Sequence, residues 1–257
     1  MLESILKKYI AEREKLEFDF PLAPYHWDSL NETLPFSLAA YSQFLKEHSS
    51  ELSNSINEFQ RYIVSLMAWE KVIHNLEGDE HFYAISEFIT PIATLAITLP
   101  YVIRSRFIYS VAHLSHQATQ VKLKKSWVDD LPIDDEIYFK EADKYGKPWK
   151  RYSKLKQSLE NIANKSYIQS MRDFRNSYNH RYSPRIEIGI TGLVKRNVND
   201  DGKVSYGFGH IEPILLKDSI PLLKEQHAFC LKAYEKYKGL VNEQTNEINQ
   251  YITKNSS

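Results

Sequence analysis

Apolar residues recur every three or four positions through most of this 257-residue chain, and this spacing constrains the fold more than any other feature. It places the apolar side chains along one side of an α-helix, where they can be buried together. The last long segment shows the pattern from Leu222 to Ile252, which predicts a helix over residues 218–252. An all-α fold class is therefore expected.

Five earlier stretches show the same spacing and are predicted to be helices. The stretch 81–121 is expected to bend or break near Pro91 and Pro100, because proline removes a backbone donor and clashes with the preceding turn. Residues 19–36 and 127–150 have no clear period and are predicted to be loops. The predicted helices cover residues 1–18, 37–48, 51–76, 81–121 and 153–181.

A different pattern precedes the last helix. Residues 185–196 (RIEIGITGLVKR) and 203–211 (KVSYGFGHI) alternate apolar and polar side chains around the turn sequence NVNDDG. Such alternation predicts strands, so residues 185–211 are expected to form a β-hairpin. The predicted architecture is a helical bundle with one β-hairpin inserted before its last long helix, in a single domain spanning residues 1–257.

Charge and cysteine content limit the partners and the compartment. Thirty-three basic and 33 acidic side chains cancel, so any contact with a nucleic acid must come from a local patch. The single cysteine, Cys230, cannot form an internal disulfide, and no Cys/His pair has zinc-finger spacing. These features predict a cytoplasmic protein without a structural metal.

The longest apolar run, Phe88–Ile103, is interrupted by Pro91 and Pro100. A helix needs about 20 apolar residues to span a bilayer. The run is therefore predicted to be a buried core helix, and no membrane partner is expected.

The segment MRDFRNSYNHRY, Met171 to Tyr182, gathers polar chemistry at the end of a predicted helix. Because a helix turns 100° per residue, Asn176 and His180 share a face, whereas Arg175 and His180 diverge by about 140°. Asn176 is therefore expected to reach and orient the His180 ring.

Arginine, an amide and histidine together suit the cleavage of RNA. The 2′-hydroxyl of RNA is its own nucleophile, so the protein has to supply only proton transfer and charge stabilisation. Histidine titrates near neutral pH and can act as an acid or a base, while arginine offers a planar fork of donors to phosphate oxygens. This set of groups uses no metal and no cofactor.

The hexapeptide RNSYNH resembles the Arg-Asn-x-x-x-His motif of the HEPN superfamily, named for higher eukaryotic and prokaryotic nucleotide-binding domains. Arg175, Asn176 and His180 match the arginine, the favoured polar next residue and the histidine of that motif. The resemblance implies a HEPN-like helical bundle and a metal-independent endoribonuclease. The hairpin and the N-terminal helical portion are extensions beyond the minimal domain of this family.

The resemblance also implies roles and partners. His180 would serve as general base or acid, Arg175 would stabilise the phosphate charge, and Asn176 would orient His180 or the phosphate. Arg172, Tyr178 and Arg181 are the expected supporting contacts to RNA or phosphate. The implied substrate is RNA, with tRNA as one candidate, and the implied assembly is a homodimer. A role as a toxin or in antiviral defence, with an antitoxin protein as partner, follows from the same resemblance.

Two other interpretations of the motif remain open. Basic residues near the C-terminal end of a helix are also favoured by the helix dipole, which would make the cluster purely structural. The second interpretation is a non-catalytic module that binds a nucleotide, RNA or a protein through the same edge. Elsewhere, His113 and His116 are spaced for a metal site, but the sequence favours satisfied histidines on a core helix.

Overall fold

The structure, a computed structural model, describes residues 2–17, 21–31 and 33–255. Parts of the predicted N-terminal helix and of the predicted loop 19–36 lie outside these residues. Ten α-helices are described: α1 Leu2–Glu14, α2 Ala39–Ile73, α3 Gly78–Ala84, α4 Thr90–Ala118, α5 Gln120–Leu123, α6 Phe139–Gly146, α7 Tyr152–Asn161, α8 Lys165–Ser170, α9 Phe174–His180 and α10 Leu216–Asn255.

The described residues are mostly helical, and a small two-stranded sheet precedes the last long helix, as the sequence predicts. The strands β1 (Val194–Val198) and β2 (Val204–Phe208) are antiparallel, with Val194 opposite Phe208. The regular hairpin is thus shorter than the predicted segment 185–211. Its base is extended by an isolated bridge in which Thr191 and Ile211 exchange backbone hydrogen bonds of 3.3 and 2.7 Å.

Opposite residues of an antiparallel pair point to the same face of the sheet. One face of the hairpin therefore carries its apolar side chains and the other its polar ones. All strand residues except Gly207 are exposed. The apolar face consists of Val194, Val198, Val204, Tyr206 and Phe208, interrupted by Arg196.

The two helices predicted over 37–48 and 51–76 are one continuous helix, α2. The predicted boundary was wrong, because the polar pair Ser49–Ser50 lies within the helix and does not interrupt it. Neither glycine nor proline occurs there, and serine alone is only a mild helix breaker.

The single helix predicted over 153–181 is also wrong, since the structure divides it into α7, α8 and α9. Ala163, Arg172 and Asp173 adopt the left-handed conformation, with φ of 48°, 53° and 52°, and such residues end a helix. Asn164 then caps α8, because its side-chain oxygen accepts the backbone N–H of Tyr167 at 2.9 Å. The apolar stripe survives these breaks, with Leu155, Leu159, Tyr167, Met171 and Phe174 all buried.

The predicted irregularity near Pro91 takes the form of a π-helical turn, Ile85–Ile89, between α3 and α4. Pro91 is the second residue of α4 and lies just after this turn. The break predicted at Pro100 is not found, because α4 continues through that residue to Ala118.

The connector 127–150, predicted to be a loop, contains the two-turn helix α6. The backbone N–H of Tyr138 donates to the Glu141 carboxylate at 3.0 Å, which fixes the start of this helix. Ala142 and Tyr145, three positions apart, are buried on this helix, so the prediction of a loop was wrong over residues 139–146.

The chain forms two compact units, each assembled from three separate segments. The first comprises residues 1–20, 59–99 and 164–225, and the second comprises residues 21–58, 100–163 and 226–257. The prediction of a single domain stays a prediction.

Aromatic side chains anchor the core of each unit. In the first, the Trp69 ring lies 4.4 Å from that of Tyr9 and 5.1 Å from that of Phe88. In the second, the Trp27 indole N–H donates to the Tyr234 hydroxyl at 2.7 Å. Each core thus contains large aromatic rings in contact with one another or in hydrogen bonds.

One helical run, residues 78–126, is long and apolar enough to cross a membrane by length and composition. Core helices of soluble proteins have the same composition. Ala93, Ala96 and Ile97 of this run are buried in the first unit, in keeping with the predicted core helix.

Candidate functional site

Helix α9, which carries the motif, begins after the left-handed pair Arg172–Asp173. Met171 and Phe174 on either side of this pair are each 1% exposed. Two buried side chains therefore hold the turn in place, and the seven-residue helix leaves it with a fixed direction.

The three motif residues, Arg175, Asn176 and His180, are all exposed and all belong to α9. Because they share one short helix, the rotation expected from the sequence applies: Asn176 and His180 lie about 40° apart, and Arg175 about 140° from His180. The structure thus presents a guanidinium and an imidazole to solvent on different sides of the same helix.

Asp173 organises the polar face of α9, and sequence reasoning did not single it out. Its Oδ2 accepts the Asn176 amide at 2.9 Å and lies 3.6 Å from Nη2 of Arg181. The Asn176 amide nitrogen is therefore oriented by Asp173 rather than by His180. The three-residue spacing from Asp173 to Asn176 was the signal that could have identified this contact.

The supporting arginines differ in their surroundings. Arg172 is exposed, and its Nη1 donates to the backbone carbonyl of Glu212. Arg181 is exposed and faces Asp173. Arg172 is therefore bonded to the segment that precedes α10, whereas Arg181 interacts with Asp173 beside α9.

Residues 171–185 form a basic patch in a chain of zero net charge. This segment contains four arginines and one carboxylate, that of Asp173. With histidine neutral, its net charge is therefore +3. This is the local concentration of charge that contact with a polyanion requires.

Tyr178, on α9, lines a cavity of about 520 Å³ in the first unit. Its ring is 55% exposed and lies 5.8 Å from the buried ring of Phe174, with 13° between the two planes. Phe82 and Ile85, from α3 and the π-helical turn, also line this cavity. Sequence reasoning missed this cavity, because no periodicity indicates that residues 82–94 face residues 174–189.

His113 and His116 lie in the second unit and are 7% and 2% exposed. Nε2 of His116 is 2.9 Å from a carboxylate oxygen of Asp129, and Nε2 of His113 is 3.3 Å from one of Asp134. Burial lowers the pKa of His113. The connector therefore supplies the acidic partners that were not apparent from the sequence near these histidines.

Comparison of the chain with family models, with curated proteins and with solved structures gave no match. The function is therefore inferred from the motif, its helix and the surrounding side chains.

Proposed function

We propose that the protein is a metal-independent endoribonuclease of the HEPN type. The observation that carries this proposal is the joint exposure of Arg175, Asn176 and His180 on one short helix within a basic patch. A purely structural cluster would not need an imidazole and an oriented amide beside the arginines.

In the proposed reaction the 2′-oxygen of RNA attacks the adjacent phosphorus and the bond to the 5′-oxygen breaks. His180 acts as the base that takes the 2′-hydroxyl proton or as the acid that protonates the leaving 5′-oxygen. Arg175 stabilises the charge on the phosphate oxygens, and Asn176, held by Asp173, positions the phosphate. The products are a 2′,3′-cyclic phosphate and a 5′-hydroxyl.

The 140° between Arg175 and His180 argues for a homodimer. One copy would contribute the guanidinium and its symmetry mate the imidazole, so that both groups reach the same phosphate. A two-fold axis would generate two such sites.

The test is cleavage of tRNA or total RNA in the presence of EDTA. We expect His180→Ala and Arg175→Ala each to lower the rate at least a hundredfold, with stability unchanged because both positions are exposed. Asn179→Ala is the matched control, since Asn179 is exposed on the same helix and lies outside the motif. Equal RNA integrity with wild type and His180→Ala at high protein concentration would contradict the enzyme.

Mixing two inactive variants tests whether each site is shared between two copies. If each site takes Arg175 from one copy and His180 from the other, mixed Arg175→Ala and His180→Ala proteins regain part of the activity that neither has alone. Absence of any gain after subunit exchange, with both variants dimeric, would show that each copy works by itself.

The alternative is a non-catalytic module that binds a nucleotide, RNA or a protein. The Asp173–Asn176 hydrogen bond favours it, because it occupies an amide N–H that could otherwise orient His180 or the phosphate. Growth that is unaffected by expression of the wild-type protein, together with a stable partner lost on Arg175→Ala, would support this alternative.

The biological setting that we infer is cytoplasmic, in toxin–antitoxin or antiviral defence, with an antitoxin protein as partner. It rests on the family resemblance and on the low cysteine content.

A further inference from the structure

The cavity beside α9 combines an aromatic wall with a cationic rim. Tyr178 and Phe174 are stacked on one side, and the exposed Phe82 faces the cavity from α3. Of the described residues that line it, Arg185 is the one that carries a charge. The site therefore suits a planar apolar group attached to an anion.

The size and the polar groups of the cavity fit the same class of ligand. Its volume of about 520 Å³ falls within the range of roughly 300–1,000 Å³ that is usual for small-molecule sites. Ser86, Thr90, Thr94 and Ser183, which carry hydroxyl groups, also line it. A hydroxyl both donates and accepts, so these groups can pair with the edge of a heterocyclic ring.

The cavity is adjacent to the motif through the helix itself. Tyr178 and Arg175 are three positions apart, so their side chains leave α9 at directions only about 60° apart. A ring stacked on Tyr178 would therefore place an attached phosphate on the side of α9 from which Arg175 emerges. Unpaired bases of single-stranded RNA are commonly held by such stacking.

We infer that this cavity binds a nucleobase of the RNA substrate, stacked against Tyr178, next to the phosphate that Arg175 contacts. The inference rests on the proposed function and names the substrate class as single-stranded RNA with an unpaired base at the cleavage point. Arg185 contributes the second cation, at the rim.

Calorimetric titration of the full-length protein with AMP, GMP, CMP and UMP tests this inference separately from cleavage. These ligands lack the phosphodiester bond that the proposed reaction breaks. We expect at least one of them to bind ten or more times more tightly than ribose 5-phosphate, which has the anion without the base.

Two variants and their matched controls locate the binding. Tyr178→Ala removes the stacking ring, and Ser86→Trp fills the cavity from an exposed position; each should weaken nucleotide binding at least tenfold. Tyr178→Phe should retain binding. Tyr182→Ala, at a tyrosine that is 86% exposed, and Glu87→Trp, next to Ser86, should leave affinity unchanged. Thermal unfolding of all five variants verifies that each is folded.

The outcomes separate the two proposals. Nucleotide binding that is no tighter than ribose 5-phosphate binding, or that survives both Tyr178→Ala and Ser86→Trp, overturns the base site even if RNA cleavage depends on His180. Nucleotide binding that is lost in both variants, in a protein that cleaves no RNA, supports the base site and overturns the nuclease.

Discussion

At the scale of single residues, Asp173 acts on the motif through both its backbone and its side chain. Its left-handed backbone, with φ of 52°, sets the direction of α9, and its carboxylate holds Asn176 and faces Arg181. Aspartate and asparagine are the non-glycine residues that tolerate this conformation best. Backbone and side chain of Asp173 therefore act together on the same helix.

We expect Asp173→Asn to change the free energy of unfolding by less than about 0.5 kcal/mol, because asparagine accepts both the conformation and the Asn176 hydrogen bond. Asp173→Val should lower it by about 2 kcal/mol, since a β-branched residue is strained at positive φ. Urea denaturation measures both. A valine variant as stable as the wild type would show that the turn relaxes to an ordinary conformation.

At the scale of elements, helical spacing predicted where apolar side chains are buried better than it predicted where helices end. Leu155, Tyr167 and Phe174 are all buried on the predicted stripe, although they belong to three different helices. The side chains of the stripe stay buried even though the helix is broken twice between them. Ala163 and Arg172, whose left-handed backbones cause the breaks, are residue types that normally favour helix.

The hairpin is expected to be dispensable for the stability of the helical fold. Replacing residues 194–208 by Gly-Gly removes only side chains that are exposed or half-exposed, and keeps the bridge between Thr191 and Ile211. We expect the melting temperature to stay within about 2 °C, by thermal circular dichroism. As a contrast, Ile186→Ala removes a side chain that is 4% exposed and should cost about 2–4 kcal/mol. A large loss of stability on hairpin replacement would mean that its apolar face is covered in solution.

At the scale of the whole molecule, buried and half-buried histidines link stability to pH. Burial lowers the pKa of His48 and of His227 to about 4, and it also lowers that of His113. In the unfolded chain these rings are protonated below a pH of about 6.5. The unfolded state therefore binds more protons between pH 6.5 and 4, and stability falls as the pH falls through that range.

We expect His48→Gln to flatten the decline in unfolding free energy by on the order of 1 kcal/mol per pH unit near pH 5. The charges that act on His48 are His113, which lowers its pKa further, and Glu47 and Asp134, which raise it. Urea denaturation from pH 7 to 4 measures the slope. His74→Gln, at an exposed histidine, is the control and should follow the wild type. Parallel curves for His48→Gln and wild type would contradict the assignment.

The candidate site could be predicted from the sequence only in part. Arg175, Asn176 and His180 were identifiable because their spacing lies within one helix, where a residue number fixes a direction. Asp173 and the cavity were not, since the first depends on a left-handed turn and the second on contact between segments far apart in the chain. Non-local contacts leave no periodic trace in a single sequence.

The π-helical turn Ile85–Ile89 has a consequence for how this protein could vary in evolution. Phe82, Ser86, Thr90 and Thr94 are spaced by four and all line one cavity, although steps of four drift by 40° each in a regular α-helix. The wider turn offsets that drift and amounts to one inserted residue. Loss of a single codon here would close the turn to a regular α-helix, so that the helix on either side would keep its direction while the cavity wall became one residue shorter.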